Sequence, residues 1–250
     1  MKVLLVVAHP EPASFNGAMR CVAQDALAAA GHAVQVSDLY RMGFKAVADE
    51  SDFPGPRADA ETFRLDQEQT FAHDTGTTAP DIVAEQARVA WADLVIFQYP
   101  MWWFMPPAIL KGWFDRVLTR GFAYLPGHKH DTGMMRGKSA MVTVTTGTSA
   151  DTYAPDGIDG ALIDILWPVT NGVLRYTGFD VLEPFAVHAP ARMSSAEREA
   201  ALQAYREALA GIDGRQRLYF HPRSDYGDDE RLLPGVEPRS GFQHRARPTS

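Results

Sequence analysis

The chain of 250 residues has one cysteine, Cys21, so no disulfide closes within it. Flanked by apolar residues in a helical pattern, Cys21 reads as a small buried hydrophobe rather than a nucleophile. Long hydrophobic runs are also missing. The apolar stretch at residues 3–8 stops at His9 and Pro10, short of the ~7 residues of a secretory core and far from the ~18 of a membrane span. The expectation is a soluble, cytoplasmic chain without membrane insertion. Positive charge is in deficit, with 24 Lys and Arg against 31 Asp and Glu, net −7, which leaves no electrostatic footprint for gripping nucleic acid. Neither G-x-x-x-x-G-K-[ST] nor G-x-G-x-x-G after the first apolar run occurs, which argues against nucleoside triphosphate chemistry. No internal repeat is present.

What the chain does have is alternation. Its 46% hydrophobic content is enough for one large core. KVLLVVAHP is a continuous apolar run, as in a strand buried on both faces. The helical pattern GAMRCVAQDALAAAGH follows and ends at Gly31. AVQVSDL (33–39) alternates apolar and polar, as a strand nearer a sheet edge does. Residues 40–77 scatter Gly and Pro among charges and form a long connection holding one short helix. Thr78 to Asp81 supply a hydroxyl cap, a proline in the first turn and an acid, which starts a helix to about Ala92. DLVIFQYP is a third strand. After it Ile109/Leu110, Trp113/Phe114 and Val117/Leu118 recur every four residues and paint one helix face. KSAMVTVTTG makes a fourth strand, ALIDILWPVTNGVLRYTG a long helix kinked near Pro168, and DVLEPFAV a fifth strand. Ser194 and Glu197 form the capping box of a last helix, to about Ala210.

This order predicts an α/β fold: a doubly wound, five-stranded parallel sheet with helices on both faces and ligands beyond the carboxyl ends of the strands. Residues 1–220 make up that domain, and 221–250 an irregular, proline-bearing extension. The loops at the reactive end are residues 9–16, 100–107 and 145–160. The last reads TTGTSADTYAPDGIDG. Its acids Asp151, Asp156 and Asp159 miss the alternating register of a calcium loop, and no metal site is expected. Gly147-Thr148-Ser149-Ala150-Asp151 lacks the second glycine of a hydrolase elbow. What remains is a polar, hydrogen-bonding loop with a phenol, next to the aromatic run MWWF. A flat, redox-active ring needs both, donors for its edge and aromatic groups for its faces. In the first loop, Ser14 and Asn16 either donate to an anionic phosphate at the helix start or cap that helix. His9 is open between site and structure, and the tryptophans between a pocket and an interface.

The strings AHPEPASFN, SDLY, APDIVAEQ, ADLVIFQYPMWWFMPPAILKGWFDRVL, GFAY, TTGTSADTY, ILWP and GFDVLEP, in this order, resemble the NAD(P)H:quinone oxidoreductase family, the DT-diaphorase type of flavodoxin-like flavoproteins, over about residues 2–220. The resemblance implies a flavodoxin-like fold, noncovalent FAD in preference to FMN, NAD(P)H as hydride donor, a quinone-like acceptor taken in turn by the same pocket, and a homodimer with its active sites at the interface. It implies that His9, Ser14, Phe15 and Asn16 meet the FAD phosphates and ribityl chain. Pro100, Met101, Trp102, Trp103 and Phe104 would flank the ring, Thr145, Thr146, Gly147 and Thr148 would border its polar edge, and Arg198 would lie near the adenosine diphosphate. Tyr124 and Tyr176 would close the substrate pocket. Gly147 and Tyr153 would act at the ring itself, Tyr153 bonding the pyrimidine oxygen.

Asp159 departs from the family pattern, which has a proton-relaying histidine there; an anionic carboxylate would oppose negative charge developing nearby, so Asp159 either is held protonated and takes over the catalytic relay or points elsewhere and leaves Tyr153 to work without it. Thr148 replaces a second glycine, Pro126 a pocket tyrosine and Arg192 a pocket histidine. The flavin site is retained and the substrate pocket altered. A flavin-binding regulatory subunit, of the kind that partners potassium efflux systems, is the alternative reading.

Overall fold

Strands whose side chains are apolar on both faces can only be satisfied in the middle of a covered parallel sheet. The computed structural model, which describes residues 1–239, places β1 (Lys2–Val7), β3 (Leu94–Pro100) and β4 (Ser139–Thr146) there, and every residue of β3 is buried. The alternating β2 (Ala33–Asp38) lies at one edge. Pairing is parallel throughout, in the order β2-β1-β3-β4-β5 with β6 also on β4.

Among the described residues the sheet has six strands. The expected fifth strand is two pieces, β5 (Asp180–Val181) and β6 (Phe185–His188). Between the pairs Ala140–Val181 and Thr143–Phe185 the outer strand carries one extra residue. Pro184 has no N–H for the ladder, and the Arg215 guanidinium holds the Glu183 and Pro184 carbonyls off it, the latter at 2.7 Å.

Helices cover both faces. On one, α1 (Phe15–Ala29) and α7 (Ser195–Ala210) bury Met19, Ala23, Leu27, Tyr205 and Leu209 against Val3, Leu5 and Ile96. On the other, α3 (Pro80–Trp91) and α4 (Ala108–Val117) bring Val89, Leu110, Trp113 and Phe114 onto Leu4, Val95 and Phe97. The capping box of α7 is present, with Glu197 N–H donating to Ser194 Oγ at 3.3 Å and Ser194 N–H to Glu197 Oε2 at 2.7 Å.

Three other expectations are corrected. Cys21 is exposed, because α1 turns Met19, Val22 and Ala23 inward and leaves Cys21 on the solvent side. The N-cap of α3 is Ala79, with no side-chain bond, so Thr78 does not cap it. The kinked helix is a broken one: α5 (Leu162–Ile165) and α6 (Trp167–Val169) flank Leu166, and a π-type turn over Thr170–Arg175 follows Pro168. The long connection does hold a helix, α2 (Leu65–Thr75), closed by Gly76 in the left-handed conformation.

As far as residue 239, the C-terminal extension is irregular but packed. His221 is buried, donates from Nδ1 to Asp225 Oδ2 at 2.8 Å and accepts the Arg239 N–H at Nε2. The remainder of the predicted extension, 240–250, lies outside the described residues. No helix among the described residues is long and apolar enough to cross a membrane.

Candidate active site

Parallel strands deliver their following loops to one end of the sheet, and Thr145 at the end of β4 joins all three. Its carbonyl accepts the Met101 N–H at 2.8 Å and its hydroxyl accepts the Asn16 side-chain amide at 2.8 Å. Gln98, buried at the end of β3, adds a bond from its amide to the Asn16 carbonyl at 2.7 Å. The loops of residues 9–16, 101–107 and 147–160 therefore share one frame.

The first loop is built by side chains instead of glycine. His9 Nδ1 accepts the Glu11 N–H at 3.0 Å, Ser14 Oγ donates to the Glu11 carbonyl at 2.6 Å, and Ser14 Oγ caps α1 by accepting the Gly17 N–H at 3.1 Å. Ser14 is thus a helix cap whatever else it does. Phe15 packs against the α1/α7 core. Gly17 is required by close approach, since a Cβ there would stand 1.8 Å from the Pro12 carbonyl oxygen. Gly17→Ala should open this loop and weaken flavin binding at least tenfold, read by fluorescence titration of the flavin-free protein.

After Pro100 the chain forms a two-residue hairpin. Trp102 and Met105 exchange both backbone bonds at 3.0 Å, and the central residues Trp103 and Phe104 have φ of 51° and 60°. Asn-Gly is the usual occupant of such turns; large side chains there cost about 1–2 kcal/mol each. Trp103 is 93% exposed and Phe104 47%. Trp103 and Phe104 thus form a strained aromatic tip at the carboxyl end of the sheet, with Trp102, 43% exposed, at its base.

Along the third loop, the N–H groups of Gly147, Thr148 and Ser149 donate to no protein acceptor among the described residues. Space beside Gly147 is open, with nothing within 4 Å of a Cβ built there. Thr148 Oγ1, Asn16 Oδ1 and Gln98 Oε1 are buried without a partner. Buried polar groups are nearly always bonded, so this end of the sheet is built to bond something else.

Tyr153 ends a 3-10 turn and stacks on His188, centroids 5.6 Å apart at 29°. His188 also meets the Thr146 hydroxyl, 3.0 Å from Nδ1, and burial pushes its pKa below the ordinary imidazole value. Asp159, left open between a relay and no catalytic part, is joined to this loop by its backbone, N–H to the Thr152 carbonyl at 3.1 Å, and its side chain makes no bond to Tyr153. Sequence reasoning missed both Gln98 and His188, although each lies at the carboxyl end of a strand. Arg198 donates from Nε to the Pro190 carbonyl at 3.0 Å and so ties α7 to the turn after β6.

Tyr124 and Tyr176 meet edge to face, centroids 5.6 Å apart, and burial followed by Tyr176 raises the Tyr124 pKa. Tyr176 also lines an open cleft of about 1210 Å³ with Lys129, His130 and Arg175, to which the C-terminal extension contributes Tyr226 and Arg231.

A family model described as a flavodoxin-like fold matches residues 1–210. The chain belongs to this flavodoxin-like family. Within it, the chain is 42% identical to rat NAD(P)H dehydrogenase (quinone) 1, covering 89% of this chain and 81% of that one. It is 44% identical to human ribosyldihydronicotinamide dehydrogenase (quinone), over 84% and 91% respectively. A Klebsiella pneumoniae structure described as a quinone reductase candidate superposes with a TM-score of 0.93 at 41% identity, covering 98% of this chain and all of that one. For a flavodoxin-like quinone reductase relative, a flavin and NAD(P)H are the implied cofactors. The N–H groups at residues 147–149 without a protein acceptor among the described residues, the open face at Gly147 and the projecting aromatic tip fit a flat ring with a hydrogen-bonding edge.

Proposed function

We propose that this flavodoxin-like protein is an FAD-dependent oxidoreductase that takes hydride from NAD(P)H and delivers it to quinones or related electrophiles. The observation that carries the reading is the row of free N–H groups at residues 147–149 beside the orphaned Thr148 and Asn16 oxygens. When bound, the flavin supplies two-electron chemistry, accepting hydride from NAD(P)H and passing it to the quinone.

The chain's own residues bind and orient. Met101, Trp102, Trp103 and Phe104 cover the ring and exclude water. Backbone donors at Gly147, Thr148 and Ser149 face its polar edge, where fixed dipoles stabilise negative charge at no reorganisation cost. Tyr153 holds its phenolic proton toward that edge. His9 and the N–H groups at the start of α1 receive the phosphates, with Ser14 and Asn16 shaping that turn, and Arg198 favours FAD over FMN by pairing with the second phosphate. Tyr124 and Tyr176, which pack edge to face, close the substrate pocket across the interface of a homodimer.

Extraction of the bound flavin tests this directly. The expected result is yellow protein releasing FAD on heat denaturation and oxidising NADH or NADPH only when menadione is added. Colourless protein that cannot be reconstituted with FAD or FMN would sink the reading.

A further inference from the structure

His188 sits at the carboxyl end of β6, between Thr146 of β4 and Tyr153 of the third loop. The Thr146 hydroxyl has a single proton, and it is donated to the Thr148 carbonyl at 2.8 Å. Its bond to His188 must therefore be one it accepts, which places a proton on Nδ1 in every charge state of the ring. The titrating atom is then Nε2, which has no protein partner among the described residues. Half-buried and neutral, this ring presents a lone pair behind the tyrosine of the redox loop.

We infer that His188 is the proton-holding residue of this site, binding a solvent proton at Nε2 when the two-electron reduction places negative charge at the 147–153 edge. The inference rests on the flavin reading above. Hydride leaves NAD(P)H as NAD(P)+ and brings one net negative charge to the edge; one solvent proton on Nε2 compensates it. When the hydride passes to a quinone, that proton is released as the second quinone oxygen is protonated. One NAD(P)H, one quinone and one proton thus give NAD(P)+ and one hydroquinone. His188 acts through the loop it packs against, as a positioning residue, and does the work for which Asp159 was the sequence candidate.

The pKa direction agrees. Burial lowers it, so the site is empty before reduction and able to fill when negative charge appears. Charged groups on the neighbouring segments are Asp151, Asp156 and Asp159 on the loop, Arg192 on the turn after β6, and Glu197 and Arg198 at the start of α7; burial alone causes the shift. The folded state therefore binds this proton less readily than the unfolded one. Its contribution to stability is present above the ordinary value of 6.5 and is lost as pH falls through the window below it.

Two measurements test the proposal. In nitrogen NMR of the flavin-free protein, neutral His188 should carry its proton on Nδ1; a proton on Nε2 would overturn the inference without touching the flavin reading. In anaerobic reduction of the loaded protein at pH 7, proton uptake should be one greater per electron pair than in His188→Phe, which keeps the stack on Tyr153 but has no Nε2. A structural role would alter flavin affinity yet leave the proton count unchanged, and equal counts defeat the inference. Should His188→Phe not fold, the wild-type His188 titration decides: its pKa must rise on reduction, and an unmoved value counts against the proposal. Failure to load any flavin would defeat the functional reading and this inference together.

Discussion

Replacing Trp103 and Phe104 by asparagine and glycine should stabilise the protein and disable it. Both positions have positive φ in a two-residue hairpin, where Asn-Gly is the preferred pair. The double variant Trp103→Asn/Phe104→Gly removes backbone strain of about 1–2 kcal/mol per residue and takes away no core contact, since Trp103 is 93% exposed. The urea midpoint should rise. Flavin affinity should fall on the order of a hundredfold or more, because two aromatic faces at ~1–3 kcal/mol each are lost from the ring. Chemical denaturation and flavin titration on the same preparation check both signs. A variant that binds flavin normally would remove the hairpin from the site. Strain retained at an exposed position is itself a sign of function.

Arg116→Ala should produce the largest loss of stability. Arg116 is buried on α4 and bonds Asp52 from Nε and Nη2, Asp81 at 2.8 Å and the Lys45 carbonyl at 2.9 Å. Its guanidinium also lies over the Phe44 ring at 4.9 Å. Asp52 is 1% exposed, and a buried carboxylate stripped of its partner typically costs about 3–5 kcal/mol. Lys45, whose Nζ remains 2.8 Å from Asp52, puts the expected loss near the lower end, about 3 kcal/mol. Arg116→Met combined with Asp52→Leu should recover most of it, because no buried charge is then left alone. Urea unfolding of the two variants measures the difference; equal losses would show that the pair is not what holds the connection. The consequence reaches the site. This network clamps residues 44–52 onto α4, where Gly112 already lies so close to Ala46 that a Cβ would stand 1.9 Å from its carbonyl oxygen. The hairpin is rooted just before α4, so loosening the clamp should also raise the flavin dissociation constant.

The architecture was legible because burial on both faces leaves a local trace. KVLLVVAHP and DLVIFQYP carry apolar residues at consecutive positions, and β1, β3 and β4 are buried at nearly every position, which only the interior of a covered parallel sheet accepts. The loops at the carboxyl ends followed from topology alone, so residues 9–16, 100–107 and 145–160 were found without coordinates. Cys21 was misread because apolar neighbours do not say which way a helix is turned. Thr78 was misread by a single position, since local signals specify a helix start less sharply than packing does. In DVLEPFAV only Pro184 hinted at a break; the Arg215 bonds to the Glu183 and Pro184 carbonyls come from about thirty residues downstream, from a segment that folding lays along this edge.

The sequence by itself determined the fold, the loops at the carboxyl ends of the strands and the family, because periodicity, apolar runs and dispersed motifs are local properties of the chain. Only the tertiary structure decided how the site is wired. Asp159 stood as an open candidate for a proton relay, being in the loop and in the position of the family's histidine. Folding laid His188, thirty-five residues beyond Tyr153, against that tyrosine with Nδ1 3.0 Å from the Thr146 hydroxyl. That pairing crosses from one strand end to another, and sheet register rather than sequence spacing sets which side chains meet there.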